Sequence, residues 1–222
     1  DVKPLFFSPS SGSALAEAEL EYDDNFISPS LYFRCELMNT RENFKIYALV
    51  WTTAPWTLPA NQAICINKDL KYCLVKILDS HYVVCVDTIA NLKQELDCDV
   101  EFVKEIKADD LLECQYKHPV NETHQDIFNA QHVQADKGTG LVHTAPSHGH
   151  DDFLVFLNRK IPLQCLVNDQ GCINENAPKY LRNKEVLGHG NDAVIQHVKA
   201  TNSIVKLKTL KHSYPIDWRT KS

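Results

Sequence analysis

The sequence predicts a β-rich α+β fold, a β-barrel core with helices packed around its outside. Three observations carry this. Short runs rich in β-formers outnumber helical patterns: LYFRCEL at 31–37, KIYALVW at 45–51, QAICI at 62–66, KYCLVKIL at 71–78, HYVVCV at 81–86, VEFV at 100–103 and TGLVHT at 139–144. Turn chemistry, NKDL and DS, separates the central three, which read as a meander. The chain has 222 residues, 44% of them apolar and 23% charged, enough to bury a sizeable core in one large domain or two small ones.

In order along the chain, residues 1–30 hold Pro4, Pro9, Pro29 and many serines around SALAEAELEYDD. That segment predicts a connector with a helix of about two turns, Ser13 serving as N-cap. The strands at 31–37 and 45–51 follow, then the meander. Thr88 can cap a helix to Leu96, with Ile89, Leu92 and Leu96 on one side. Residues 104–136 are polar and irregular, include His118-Pro119, and predict a surface excursion with a short helix near Leu111 and Leu112. After the strand at 139–144, DDFLVFLNR at 151–159 reads as a helix with an acidic first turn, as the helix dipole favours. CLVNDQGCIN at 165–174 reads as a hairpin with a glycine near its turn. Asn191 precedes a helical spacing at Val194, Ile195 and Val198. The tail sets Lys199, Lys206, Lys208, Lys211, Arg219 and Lys221 against Asp217, a local basic face read as solvated surface.

Composition narrows the function. A net charge of −6 argues against a general nucleic-acid coater, though a local patch could still hold one nucleic-acid end. No run approaches the roughly 18 apolar residues that span a bilayer, so no membrane partner is expected. The first residues show neither the basic nor the apolar region of an export signal. The eight cysteines include no C-x-x-C pair, and several lie in strand patterns. Buried thiols in a reducing, intracellular compartment are the expectation.

Two stretches hold most of the useful chemistry: KGTGLVHTAPSHGHDDF at 137–153 and WTTAPWTLPAN at 51–61. They are expected to face each other across one pocket. In the first, His143, His148, His150 and Asp151 suggest a zinc set, imidazole and carboxylate together suiting that ion. The spacing resembles the H-x-H-x-D-H pattern of metallo-β-lactamase-like hydrolases but fails in detail, with Phe153 where the last histidine belongs. A second reading uses position. Asp152 lies in the first turn of a helix after a glycine-containing loop, where its carboxylate can turn back into a cleft and receive an ammonium group. In the second stretch, Thr52 and Thr53 end an apolar strand before Pro55, so their hydroxyls are free of helix back-bonding and can hold water or ribose and carbonyl oxygens. Trp51 and Trp56 read as core or pocket wall. No G-x-S-x-G, P-loop, G-x-G-x-x-G or H-E-x-x-H is present, so hydrolysis here would use a positioned water.

Together these stretches resemble the editing domain inserted into isoleucyl-tRNA synthetase, of the bacterial and organellar type. WTTAPWTLPAN resembles its threonine-rich signature, and GTGLVHTAPSHGHDDF its second one. The flanks KPLFFSPSSGSALAEAELEY and HSYPIDWRTKS resemble the exit from and return to the synthetase's nucleotide-binding half. The resemblance implies a connector at 1–30, an editing domain at 31–210 and a return segment at 211–222. Valyl and leucyl relatives carry TTRP plus an acid, so Pro55-Trp56-Thr57 and Asn61 carry the isoleucyl assignment. The implied activity is hydrolysis of valine from mischarged tRNA(Ile), and of valyl-adenylate as a second substrate, by a monomer in cytoplasm or mitochondrion. The remaining synthetase chain is the other implied partner. No cofactor is implied for editing; ATP and Mg belong to the separate catalytic core. By position, Thr52, Thr53 and Asp152 act at the scissile ester, with Asp152 on the α-ammonium. Asn61, Trp56, Gly140, His143 and His148 bind or shape the substrate pocket, His143 admitting valine and rejecting isoleucine. Ala54 stands where the family commonly has a third threonine, so no hydroxyl can act there. Other classes remain open: a metal-dependent hydrolase using His148, His150 and Asp151, and a module that only binds the tRNA acceptor end.

Overall fold

The computed structural model describes residues 3–221. The chain runs through β1 (Phe6–Ser8), β2 (Ser13–Leu15), β3 (Leu20–Met38), β4 (Ile46–Thr52), β5 (Ala63–Ile66), β6 (Tyr72–Ile77), β7 (Ser80–Cys85) and α1 (Ile89–Leu96). It continues with β8 (Glu101–Ile106), α2 (Ala108–Leu112), β9 (Gln115–Lys117), β10 (His124–Asn129), β11 (Val142–Thr144), α3 (His150–Phe156), α4 (Asn191–Ala200) and β12 (Ile204–Asp217).

A mixed sheet dominates, in the order β11-β5-β10-β9-β3-β4-β7-β6-β8, with β12 paired to β3. The α+β class is therefore as expected, but the sheet is not a closed barrel. No ladder joins its ends, β11 and β8. Instead the sheet curls until the loop before β11 reaches β6 and β7: the Cys85 amide donates to the Thr139 carbonyl at 2.8 Å, and the Tyr72 hydroxyl to the Gly140 carbonyl at 2.9 Å. Gly138 and Gly140 hold φ of +63° and +76°, which takes this loop out of the extended conformation a ladder needs.

Period-2 alternation explains the two cores. Leu31, Phe33 and Cys35 of β3 point into the main cluster with Val50, Ile64, Leu74, Val83 and Tyr116. Tyr32 points the other way, to Leu49, Val75 and Val84 under Leu92 and Leu96 of α1. Val194 and Val198 of α4 cover the main cluster. The helices α1, α3 and α4 lie where the apolar spacing predicts them.

Four expectations change. The segment after Gly12 is not a helix: β2, a 3₁₀ turn at Glu17–Glu19 and the start of β3 occupy it, because β3 pairs with β12 from Leu20 to Phe33 and that ladder overrides a weak local propensity. The meander reduces to the β6–β7 hairpin, since β5 pairs with β10 and β11. Residues 104–136 are not a surface excursion: β9 and β10 belong to the sheet, and Tyr116 and His118 are buried. The hairpin at 165–174 shrinks to one bridge, Val167 with Ile173, across a turn where Gly171 has φ +68°.

All eight cysteines are free, and five are buried. The tail lysines of β12 are partly engaged: Lys206 donates to the Leu96 carbonyl at 3.2 Å and Lys208 pairs with Glu95 at 3.4 Å. Strands β3 and β12 run unbroken through 30/31 and 210/211.

Candidate active site

The threonine loop begins where β4 ends. The Thr52 hydroxyl accepts the Ala54 amide at 3.1 Å, which turns the chain into a 3₁₀ segment at Pro55–Ala60, Pro55 leading it as the fixed φ of proline favours. α4 holds this segment from behind: Asn191 is buried and its Oδ1 accepts the Trp56 amide at 3.0 Å. Asn191, at the start of α4, thus spends its side-chain oxygen on the loop.

The second loop leaves β11 at Thr144 and reaches α3 through Ala145–Gly149. Asp152 sits in the first turn of α3, and its Oδ2 accepts the Ala145 amide at 2.8 Å. Oδ1 makes no hydrogen bond among the described residues. Gly149 packs on this carboxylate; a Cβ there would stand 3.1 Å from both Cγ and Oδ2. Burial raises the Asp152 pKa above the ordinary value, while the Ala145 amide and the neighbouring His132 oppose that rise.

The loops meet at two places. The Trp56 and His148 rings pack edge to face with centroids 5.0 Å apart. Deeper in, a chain of hydrogen bonds joins them. Thr57 Oγ1 lies 2.8 Å from His143 Nε2, and Asn61 Nδ2 lies 2.7 Å from His143 Nδ1. Asn61 Nδ2 also donates to the Ala63 carbonyl at 2.9 Å, and the Tyr116 hydroxyl donates to Asn61 Oδ1. His118 Nδ1 accepts the Val120 amide at 3.0 Å, so its Nε2 is the protonated nitrogen and donates to the Asn61 carbonyl at 3.1 Å.

Burial makes these rings neutral. It lowers the pKa of His143 to about 3, with His118 and His148 adding to the effect, and lowers His118 and His148 each to about 4. The wall between the loops therefore carries aromatic and neutral imidazole surface.

The predicted residues are only partly gathered. Trp56, His143, His148 and Asn61 belong to one contiguous set, and Asp152 is tied through Ala145 to the connection that carries His148. Thr52 and Thr53 stand at its threonine side, but among the described residues no hydrogen bond links either to Asp152. Gly140 serves packing: a Cβ there would stand 2.2 Å from the Cys85 Cβ. Asn61 and His143 are buried with their polar atoms engaged, so they hold the wall rather than reach a substrate with a free donor. The zinc set is not assembled. Both His143 nitrogens are in hydrogen bonds, His150 and Asp151 are exposed, and among the described residues no three His, Cys, Asp or Glu side chains converge as a metal site needs. A concavity of about 310 Å³ lies elsewhere, lined by Leu37, Ile46, Val83, Ile106 and Leu111. Sequence reasoning gave no site role to Thr57, named only within the signature, nor to Tyr116, His118 and Asn191. The signal for Thr57 was its +4 spacing from Thr53 within the signature; Tyr116 gave none, lying in a three-residue strand, and neither did His118 just after it.

No family model matches the chain. Comparison with individual proteins is informative. The mitochondrial isoleucine–tRNA ligases of Gallus gallus and Mus musculus are 40% and 41% identical to it over 100% and 99% of its length. The isoleucine–tRNA ligase of Geobacillus kaustophilus is 39% identical over 99% of it. The chain spans only 23%, 23% and 24% of these relatives. Among solved structures, the P. knowlesi cytosolic leucyl-tRNA synthetase editing domain superposes with a TM-score of 0.63 at 11% identity, over 84% of this chain and 99% of that one. The GlLeuRS-CP1 structure gives 0.51 at 21% identity over 59% of each chain. Those two similarities speak for the fold, and the full-length matches to ligases for the lineage. The chain belongs to the isoleucine–tRNA ligase family, of mitochondrial and bacterial type, and shares the fold of leucyl-tRNA synthetase editing domains.

Proposed function

We propose that this domain proofreads: it hydrolyses valine from mischarged tRNA(Ile), using a positioned water and no covalent intermediate. The observation that carries the reading is the Asp152 carboxylate. It is fixed on the Ala145 amide through one oxygen, keeps the other for a ligand, and follows closely in the chain on the neutral rings of His143 and His148. A carboxylate so placed suits the α-ammonium of an aminoacyl ester, and an apolar wall suits its side chain.

The chemical need is general. An apolar synthetic pocket separates substrates differing by one methylene by only about 1–3 kcal/mol, or 10–200-fold, isoleucine against valine being the well-known instance. A second site too small for isoleucine removes the error. The ester is already activated, so holding it beside a water supplies much of the acceleration through orientation. In this reading Asp152 anchors the ammonium, Thr52 and Thr53 with the loop amides place carbonyl, ribose and water, and Trp56, His143 and His148 bound the side-chain space. Valyl-adenylate is the second substrate the same pocket would take. The partners are the tRNA(Ile) 3′ end and the rest of the synthetase, and no metal is required.

Deacylation of preformed valyl-tRNA(Ile) and isoleucyl-tRNA(Ile), each with and without chelator, tests the reading. Valine-selective loss that survives chelation supports it. Loss abolished by chelator would favour a metal hydrolase, and binding without loss a module that only holds the acceptor end.

A further inference from the structure

The chain of hydrogen bonds under the site has a fixed direction, and its outer end lies on a strand that the proposed chemistry does not use. Tyr116, on β9, is fully buried and donates to Asn61 Oδ1. The Asn61 amide is then oriented by two partners, the Tyr116 hydroxyl on its oxygen and the Ala63 carbonyl on its nitrogen at 2.9 Å. An amide so oriented presents an N–H to His143 Nδ1 at 2.7 Å. Nδ1 must accept, so the proton of the neutral ring is on Nε2. That N–H faces Thr57 Oγ1 at 2.8 Å, and the Thr57 hydroxyl donates onward to the Ala54 carbonyl at 2.8 Å. Each group in the series has one role available to it, from β9 to the backbone of the threonine loop.

We propose that Tyr116 is a specificity-determining positioning residue: through Asn61 it holds the His143 ring in one tautomer and one orientation, and so keeps the pocket wall rigid enough to exclude a side chain one methylene too large. This rests on the proofreading reading for its consequence but not for its geometry. A ring tied at both nitrogens cannot pivot. A ring whose anchoring amide lacks a partner can, and a wall that yields admits isoleucine. Tyr116 has no route to the reacting ester, so the step it controls is size selection and not hydrolysis of valine.

The test is Tyr116→Phe beside Tyr82→Phe, which removes another hydroxyl from the same sheet, one lying 3.5 Å from Arg34. Two readouts are taken on the whole domain: the ¹⁵N shifts of the His143 ring, and the ratio of valyl- to isoleucyl-tRNA(Ile) deacylation. The parent and Tyr82→Phe are expected to show one Nε2–H tautomer. Tyr116→Phe is expected to show tautomer averaging and a selectivity ratio about 10-fold lower, with valyl-tRNA loss within about 3-fold of the parent. Thr57→Val, which cuts the same series at its other end, should lower the ratio similarly. The double variant should lower it no further, since both act through one ring. A parent-like tautomer and ratio in Tyr116→Phe would overturn the proposal, as would additive losses in the double variant. If the parent hydrolyses neither ester, the proofreading reading fails, and the ring shifts alone still decide whether Tyr116 fixes His143. Should Tyr116→Phe not fold, Asn61→Asp, which keeps an acceptor for Tyr116 and removes the N–H facing His143 Nδ1, is read in the same two ways, and a parent-like tautomer and ratio there would overturn the proposal.

Discussion

Asp152 Oδ2 accepts the Ala145 amide at 2.8 Å, a contact that bends the loop between β11 and α3 back over the carboxylate. The contact offsets part of a cost, since burial raises the Asp152 pKa above that of the unfolded chain and the Ala145 amide opposes the rise. A carboxyl with a raised folded pKa binds more protons folded than unfolded, so its contribution to stability is fully present below the unfolded value and is lost as pH rises through the folded one. Asp152→Asn keeps an acceptor for Ala145 and removes the charge. It should raise Tm at pH 7 by about 1–2 °C, with the gain vanishing near pH 3, as scanning calorimetry across pH would report.

The three imidazoles, His118 and His143 buried and His148 half-buried, set an opposite dependence. His143, His118 and His148 titrate near 3, 4 and 4 when folded, against an ordinary value of about 6.5. Their stabilising contribution is present above the unfolded pKa and is lost as pH falls toward the folded values. Near pH 5 unfolding should take up close to three protons from these residues, a slope of about 4 kcal/mol per pH unit. Urea melts at pH 7, 6 and 5 check this, and a pH-independent stability over that range would contradict it.

Gly140 has φ +76° and its missing Cβ would collide with the Cys85 Cβ at 2.2 Å. Gly140→Ala combines backbone strain with overpacking, so we expect a loss of at least about 2 kcal/mol in denaturant melts. Gly12, also at positive φ but with nothing within 4 Å, should lose only the strain component in Gly12→Ala.

Thiol chemistry should divide the cysteines by position. Cys165 is exposed, whereas Cys35, Cys65, Cys73, Cys85 and Cys114 are buried, with burial pushing Cys65 up to about 12 and Cys73 to about 11. In native protein Cys165 should react first with a disulfide reagent, Cys98 and Cys172 more slowly, and the buried five only on unfolding. Mass-mapped labelling over time reads this order.

How far the sequence reaches depends on what carries each signal. The strands β4, β6 and β7 and the helices α1, α3 and α4 announce themselves because their apolar spacing matches the faces they bury. The two signature loops are visible because they concentrate polar side chains at strand ends. The pairing of β3 with β12 joins residues far apart in the chain and left only a serine- and acid-rich run that imitates a helix. Tyr116 and His118 were hidden for a related reason. Their neighbours Gln115, Lys117 and Glu122 face outward, and so short a strand shows no periodicity. His143 and Asn61 were found as site residues, but that the Asn61 amide and the Tyr116 hydroxyl of β9 dictate the His143 proton position depends on packing between distant segments that the sequence does not display.

The central claim is that Asp152 binds the ammonium of a mischarged valyl ester, and a two-by-two measurement addresses it directly: deacylation of valyl-tRNA(Ile) and of its N-acetylated form, by the parent and by Asp152→Ala, in chelator. Loss of a charge-assisted hydrogen bond predicts a fall of about 10- to 100-fold on valyl-tRNA(Ile) in Asp152→Ala. Acetylation should cost the parent a similar factor, and the variant should show little further loss on the acetylated ester. Undiminished clearance of valyl-tRNA(Ile) by Asp152→Ala, or equal parent rates on both esters, would contradict the account.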